Sequence, residues 1–377
     1  MNNEITTKFY PLGSDADDYV ALASAWKEEG FFTAFNELLR TPGFPAIIFM
    51  VGIIFPGNTF FILRILQLIS IALTVVMIKK ILELHIPKSQ AYIFSLIYLV
   101  LPIWYFVPAI LAESFTTFFF TLLLYYISLI RTNKYHLPNY LIISGCLAIL
   151  IYLKATSVLL VIPVLYFTIH KIKIKKFSYL FSILVLLIFL MLPWMIYAKT
   201  TQGSFLPLTN TSGYALYYGT GMIVKGDPIL KQAATENRVN SESNMEDLLV
   251  FDEPITASEM SEIYTNKTIE IWSKRPLNQF LFGLQKIMIN FGFIIRNSYE
   301  YFLGFFSLIT ITASLLLIKQ KKHLDWAFTF VIYFLCQSFQ AMIFFSDKRY
   351  LIPTFIPISI IVLSLAVSRL IRSWKSF

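Results

Sequence analysis

Three carboxylates crowd four consecutive positions in Gly13-Ser14-Asp15-Ala16-Asp17-Asp18-Tyr19. Crowded carboxylates raise one another's pKa, and a raised pKa suits a general base. Two readings stand open. The acids serve proton abstraction, or they occupy a first helical turn because the helix dipole favours them there, with Ser14 and Asp17 as a capping box. Asp15-Ala16-Asp17 also fits the D-x-D pattern of metal–nucleotide sites, a weak three-letter match.

Cations stand at a distance from these acids. Arg40-Thr41-Pro42-Gly43-Phe44-Pro45 bends the chain into an apolar segment and puts a guanidinium where it can fork onto a phosphate or an ordinary lipid headgroup. Glu113 and Lys154 are lone charges inside strongly apolar surroundings. Such groups are costly unless paired or hydrated, so they bind a ligand, pair with one another or snorkel. Asp347-Lys348-Arg349-Tyr350 brings two bases to one short turn, which suits a phosphate unless Asp347 takes one of them. Lys199, at the end of an apolar run, is a weaker candidate of the same kind. Tyr217 lies in the tyrosine- and glycine-rich stretch 213–221, whose rings either stack on sugar or anchor the loop at an interface.

The elements that hold these residues are apolar. Of 377 residues 57% are hydrophobic and only 14% charged, with a mean hydropathy of +0.67; a soluble domain carries about 25% charged residues. Nine candidate spans follow, at roughly 59–80, 90–109, 114–131, 139–153, 155–171, 177–198, 300–318, 325–345 and 350–370, against the ~20 residues a helix needs to cross. Lys154 divides the fourth from the fifth. The runs are continuous rather than alternating, so a helical bundle is expected and a β-barrel is not. Four parts result: a first outer loop over 1–58, spans over 59–198, an outer loop region over 199–299, and the last spans with a tail over 300–377.

Orientation follows from the bases. Lys79, Lys80, Lys88, Arg131, Lys134, Lys171, Lys173, Lys175, Lys176, Lys319, Lys321, Lys322, Arg369, Arg372 and Lys375 share one side, expected to be cytoplasmic. That puts the candidate site residues on the other side. Asp227 to Glu270, with ten acids and three bases, also fits there. The first loop then begins outside with no span before it, so a missing upstream span is expected. Two helices are expected to lie on the membrane: 17–30, with Tyr19, Leu22, Ala23 and Trp26 on one face, and 277–291, with Leu277, Phe280, Leu281, Leu284, Met288 and Phe291 as a stripe and Lys286 away from it.

Several classes drop out. The net charge of +9 sits at the ends of apolar runs, which favours membrane orientation over nucleic acid. The four histidines map to the cytoplasmic side or edge, so no outer His–Cys metal cluster or Ser–His–Asp set forms. No P-loop or G-x-G-x-x-G is present. Cys146 and Cys336 lie within apolar runs and suggest no disulfide. Few central charges argue against an ion-coupled transporter.

An outer D-x-x-x-Y, then R-x-P-G-F-P, Glu113-Ser114 opening a span, the Lys154 turn, and Arg349-Tyr350 with Pro353 together resemble the GT-C membrane glycosyltransferases. The nearest look is to the bacterial branch related to protein O-mannosyltransferases and the lipid A aminoarabinose transferase. The resemblance implies sugar transfer from a polyprenyl-phosphate donor to a hydroxyl of a cell-envelope glycan, lipid or protein, outside the cell membrane and with inversion. It implies that an acid in the first outer loop is the base: Asp15 by its distance from Tyr19, with Asp18 in reserve. Arg40, Glu113, Lys154, Lys199, Tyr217, Arg349 and Tyr350 are then expected to line the substrate site. No cofactor is required; a divalent cation is possible but not indicated. The runner-up readings are a polytopic polysaccharide polymerase or ligase, and a lipid-carrier flippase or transporter.

Overall fold

The computed structural model describes residues 14–30, 40–101, 107, 110–131, 137–171, 177–202, 212–220, 257–294, 298–344 and 348–374, with the side chains of Asp15, Arg349 and Tyr350 outside that description. The described residues form helices and contain no strand, as the unbroken apolar runs require.

Chain order starts with α1 (Ser14–Glu29) and α2 (Gly43–Ile54), followed by α3 (Thr59–Glu83), α4 (Lys88–Val100), α5 (Glu113–Arg131) and α6 (Leu137–Leu153). A 3₁₀ segment (Ala155–Leu160) leads into α7 (Val161–Lys171), then α8 (Phe177–Gln202), α9 (Ser212–Gly219), α10 (Ala257–Lys274) and α11 (Pro276–Asn290). The chain closes with α12 (Ser298–Lys319), α13 (Leu324–Ile343) and α14 (Lys348–Trp374).

Each of the nine expected spans contains a helix, but they are not equal. Among the described residues, five helices are long and apolar enough to cross a membrane: Thr59–Glu83, Phe181–Thr200, Tyr301–Lys319, Leu324–Ile343 and Leu351–Trp374. The expected span 90–109 is helical only from Lys88 to Val100 among the described residues. One short apolar helix, Gly43–Ile54, falls where a first loop was expected. The two-element reading of 139–171 is the one observed. Lys154 is extended, with φ −149° and ψ 119°, and separates α6 from the 3₁₀ turn.

Local chemistry explains the boundaries. Gly30, at φ +93°, ends α1 where only a residue without Cβ is comfortable. Pro276 opens α11 at a position that has no use for its missing N–H.

The last helix is the innermost. α14 packs against α3, α4, α5, α12 and α13, and its buried face carries Thr354, Ser359, Ser364 and Ser368. Small hydroxyl residues let apolar helices approach closely. The end of the bundle bearing Lys79, Lys80, Lys319 and Arg369 also holds His85, whose Nε2 accepts from Trp326 Nε1 at 3.1 Å. The candidate site residues gather at the opposite end.

Candidate active site

α1 is laid on the bundle by the face read from the sequence. Tyr19, Ala23 and Trp26 are buried, while Asp17 and Asp18 look outward. Tyr19 meets Phe44 of α2 edge-on at 5.2 Å, and Phe44 continues to Phe115 of α5 at 6.0 Å. Further along, Trp26 joins Trp194, Tyr197 and Ala198 of α8. This seats α1 between α2 and the end of α8, where Lys199 is exposed.

Two ion pairs form at this corner. Arg40 donates from Nε (3.0 Å) and Nη2 (2.8 Å) to the same oxygen, Oδ2 of Asp18. The guanidinium carbon lies 6.0 Å from the ring centre of Tyr19. This pair is partly open to solvent, with side chains 29% and 48% exposed. The second pair is enclosed. Lys154 Nζ donates to Glu113 Oε1 at 2.8 Å, and the two residues are 7% and 3% exposed. Glu113 sits in the first turn of α5, where a carboxylate also meets the positive end of the helix dipole. Its other oxygen, Oε2, is buried and has no hydrogen-bond partner among the described residues. Removing either member of such a pair strands the other charge in a low dielectric, which costs about 3–5 kcal/mol.

The Arg40-Thr41-Pro42-Gly43 segment joins the pairs. Thr41 Oγ1 donates to the Leu153 carbonyl at 3.2 Å, next to Lys154. Gly43 presses directly on the same backbone. A Cβ there would lie 2.6 Å from the carbonyl carbon and oxygen of Tyr152. Glycine is thus needed for closeness, and the R-x-P-G pattern reads as a device that clamps the start of α2 onto the Lys154 turn. From the far side, Gln67 in α3 donates to the Leu111 carbonyl at 2.8 Å and steadies the approach to Glu113.

The structure therefore gathers Asp18, Arg40, Glu113 and Lys154, and places Lys199 at the rim of the α1–α8 packing. Asp15 stands one turn before Asp18 in α1, and Arg349 and Tyr350 lie in the first turn of α14; nothing further is described for these three side chains. Tyr217 belongs to a different packing unit. It is 2% exposed, with its ring 5.2 Å from that of Tyr264, so it serves the contact between α9 and α10. Burial and the neighbouring Tyr218 push the Tyr264 hydroxyl above its ordinary pKa.

α11 corrects one detail of the sequence reading. Leu277, Phe280, Leu281, Leu284 and Met288 are exposed as the expected stripe, but Phe291 is fully buried. The polar residues face inward. Lys286, expected away from the stripe, stands on the opposite, inward face, is 2% exposed and donates to the carbonyls of Gly219 (2.5 Å) and Phe344 (3.2 Å). The wheel already separates the two faces: the apolar stripe on one, and Gln279, Lys286 and Asn290 on the other. An interfacial helix turns its apolar face to lipid and its polar face to the protein.

Among the described residues, no three His, Cys, Asp or Glu side chains gather as a metal site would require. A small apolar cavity, lined by Phe120, Leu124, Ile127, Val164, Trp326 and Tyr333, lies toward the basic end and away from both pairs.

Residues 40–197 match the family model for dolichyl-phosphate-mannose-protein mannosyltransferase. The matched segment begins at Arg40 and contains Glu113 and Lys154, and it supports the resemblance to GT-C membrane glycosyltransferases that the motifs carry. No curated protein matches the chain. Among solved structures, the chain is similar to ArnT from Cupriavidus metallidurans in the apo state, at 10% identity and a TM-score of 0.43, over 95% of this chain and 73% of that one.

Proposed function

We propose that this multi-pass membrane protein, GT-C-like over residues 40–197, moves a sugar from a polyprenyl-phosphate donor to an acceptor hydroxyl at the extracytoplasmic surface. One observation carries the reading: an acidic helix, α1, is tied by Asp18–Arg40 to the segment whose Thr41 and Gly43 rest on the backbone next to Lys154, the partner of the enclosed Glu113, at the bundle end opposite the basic residues.

The division of labour follows from what each side chain already holds. Asp18 Oδ2 is taken by Arg40, which makes Asp18 the residue that orients the guanidinium. Asp15, one turn earlier and four residues before Tyr19 as the resemblance requires, is then the base. Its carboxylate accepts the acceptor's hydroxyl proton as that oxygen attacks the anomeric carbon; the bond to the carrier phosphate breaks on the opposite face, and inversion results. The departing phosphate keeps the bonding electrons, so cations at its oxygens lower the barrier. Arg40, partly exposed at the rim, is proposed for that task, together with Arg349. Glu113 neutralises Lys154, so the enclosed pair offers the donor less net positive charge than a lone lysine. Its unpartnered Oε2 is suited to accept from a sugar hydroxyl. No step calls for a metal ion.

Purified protein in vesicles, supplied with radiolabelled polyprenyl-phosphate sugars and an envelope extract, tests the proposal. Label transferred singly to an acceptor supports it. A ladder of polymer points instead to a polymerase, and label crossing the bilayer with no new bond points to a flippase. Either outcome removes the transferase reading.

A further inference from the structure

The corner around Lys286 is built with as much care as the two ion pairs, and the proposed chemistry makes no use of it. Lys286 lies on the inward face of α11. Its amino group bonds the carbonyl of Gly219, the last residue of α9, and that of Phe344, just past the end of α13. Both are C-terminal helix ends, where carbonyls lack helical partners and the dipole is negative. Two turns earlier on the same face, Gln279 donates to the Thr220 carbonyl at 3.0 Å. The backbones meet closely here as well. A Cβ on Gly219 would fall 2.0 Å from the Ile343 carbonyl oxygen, and one on Gly283 would fall 2.6 Å from Met342 Cγ. Three helices thus converge within van der Waals contact, with one lysine at the junction.

We propose that Lys286 is a positioning residue: by capping α9 and α13 together, it holds the end of α13 and, through the packing of α13 against α14, the first turn of α14, which carries Arg349. This rests on the transferase reading above. Lys286 itself touches no reacting atom. Burial lowers its pKa to about 7. Ammonium and amine both donate hydrogens, so the clamp holds on either side of that value.

The test pairs kinetics with hydrogen exchange. Lys286→Met keeps the volume and removes the donors. Exchange in peptides covering 212–220 and 340–344 should then rise by about tenfold, the response of a locally released segment, while peptides around 113–117 and 150–157 stay protected. The donor KM should rise about tenfold, which is ~1.4 kcal/mol, with kcat and the acceptor KM within about twofold. Lys286→Arg, which keeps donors at the junction, should restore most of both. Unchanged exchange in the two peptides overturns the proposal, as does an equal loss in kcat and donor KM. If Lys286→Met does not fold, a raised donor KM in a folded Lys286→Arg protein overturns it. If the wild-type protein transfers no sugar, the transferase reading fails on its own, and the exchange pattern alone decides whether Lys286 is the clamp.

Discussion

The two corners at the bundle end opposite the basic residues solve the same problem in different ways. At the first, Glu113 and Lys154 are buried side chains of opposite charge, and each satisfies the other at 2.8 Å. At the second, Lys286 is buried to a similar depth but takes backbone carbonyls. A charge pair is nearly neutral as a unit, so its burial depends on both members and little on pH near neutrality. A lysine among carbonyls keeps a net charge, which burial opposes. Burial brings Lys286 down to about 7.

The largest expected effect strikes the first corner. Glu113→Ala should strand the Lys154 ammonium and cost about 3–5 kcal/mol of stability in detergent unfolding, whereas Glu113→Gln combined with Lys154→Met should recover most of it. If the double variant is as unstable as the single, the two residues do not act as a pair.

The second corner should respond to pH. Lys286 titrates near 7 when folded and near its ordinary 10.5 when unfolded. Between those values the unfolded chain binds more protons, so stability should rise with pH across that window and be lowest below about 7. Subtracting the profile of Lys286→Met isolates the lysine. A flat difference between pH 6 and 9 contradicts its burial as a chargeable group.

Backbone closeness gives the next effect in size. Gly43→Ala and Gly219→Ala each put a methyl group against backbone atoms, at 2.6 and 2.0 Å. Overpacking of this kind costs roughly 1–3 kcal/mol. Gly145 has nothing within 4 Å of its Cβ position, so Gly145→Ala should stay within about 0.5 kcal/mol as the control. The smallest effect belongs to Asp18→Asn. An ion pair this exposed contributes about 0–1 kcal/mol, so thermal unfolding should barely move.

How much of this was legible in the residues divides along the same line. The helices were, because continuous apolar runs admit little else in a bilayer. Glu113 and Lys154 also stood out, since charge within apolar sequence is costly and therefore noticeable. Their partnership was one of several open options, because a separation of 41 residues carries no distance until α5 and α6 pack. Lys286 was read as lying away from the apolar stripe, where it does lie, but its partners are carbonyls, which every residue has and no sequence pattern marks. Gly43 was read as a bend, and its role in close approach appears only once Tyr152 lies over it. Tyr217, weighed for sugar stacking, is covered by a ring 47 residues away in Tyr264.

The central claim is that a carboxylate in α1 removes the acceptor's proton. Transfer from a radiolabelled polyprenyl-phosphate sugar, measured side by side for Asp15→Asn and Asp17→Asn, tests it most directly. Removal of a general base should slow Asp15→Asn by about 100-fold or more, with Asp17→Asn close to wild type, since Asp17 is exposed on the outward side of the helix. Full activity in Asp15→Asn contradicts the account.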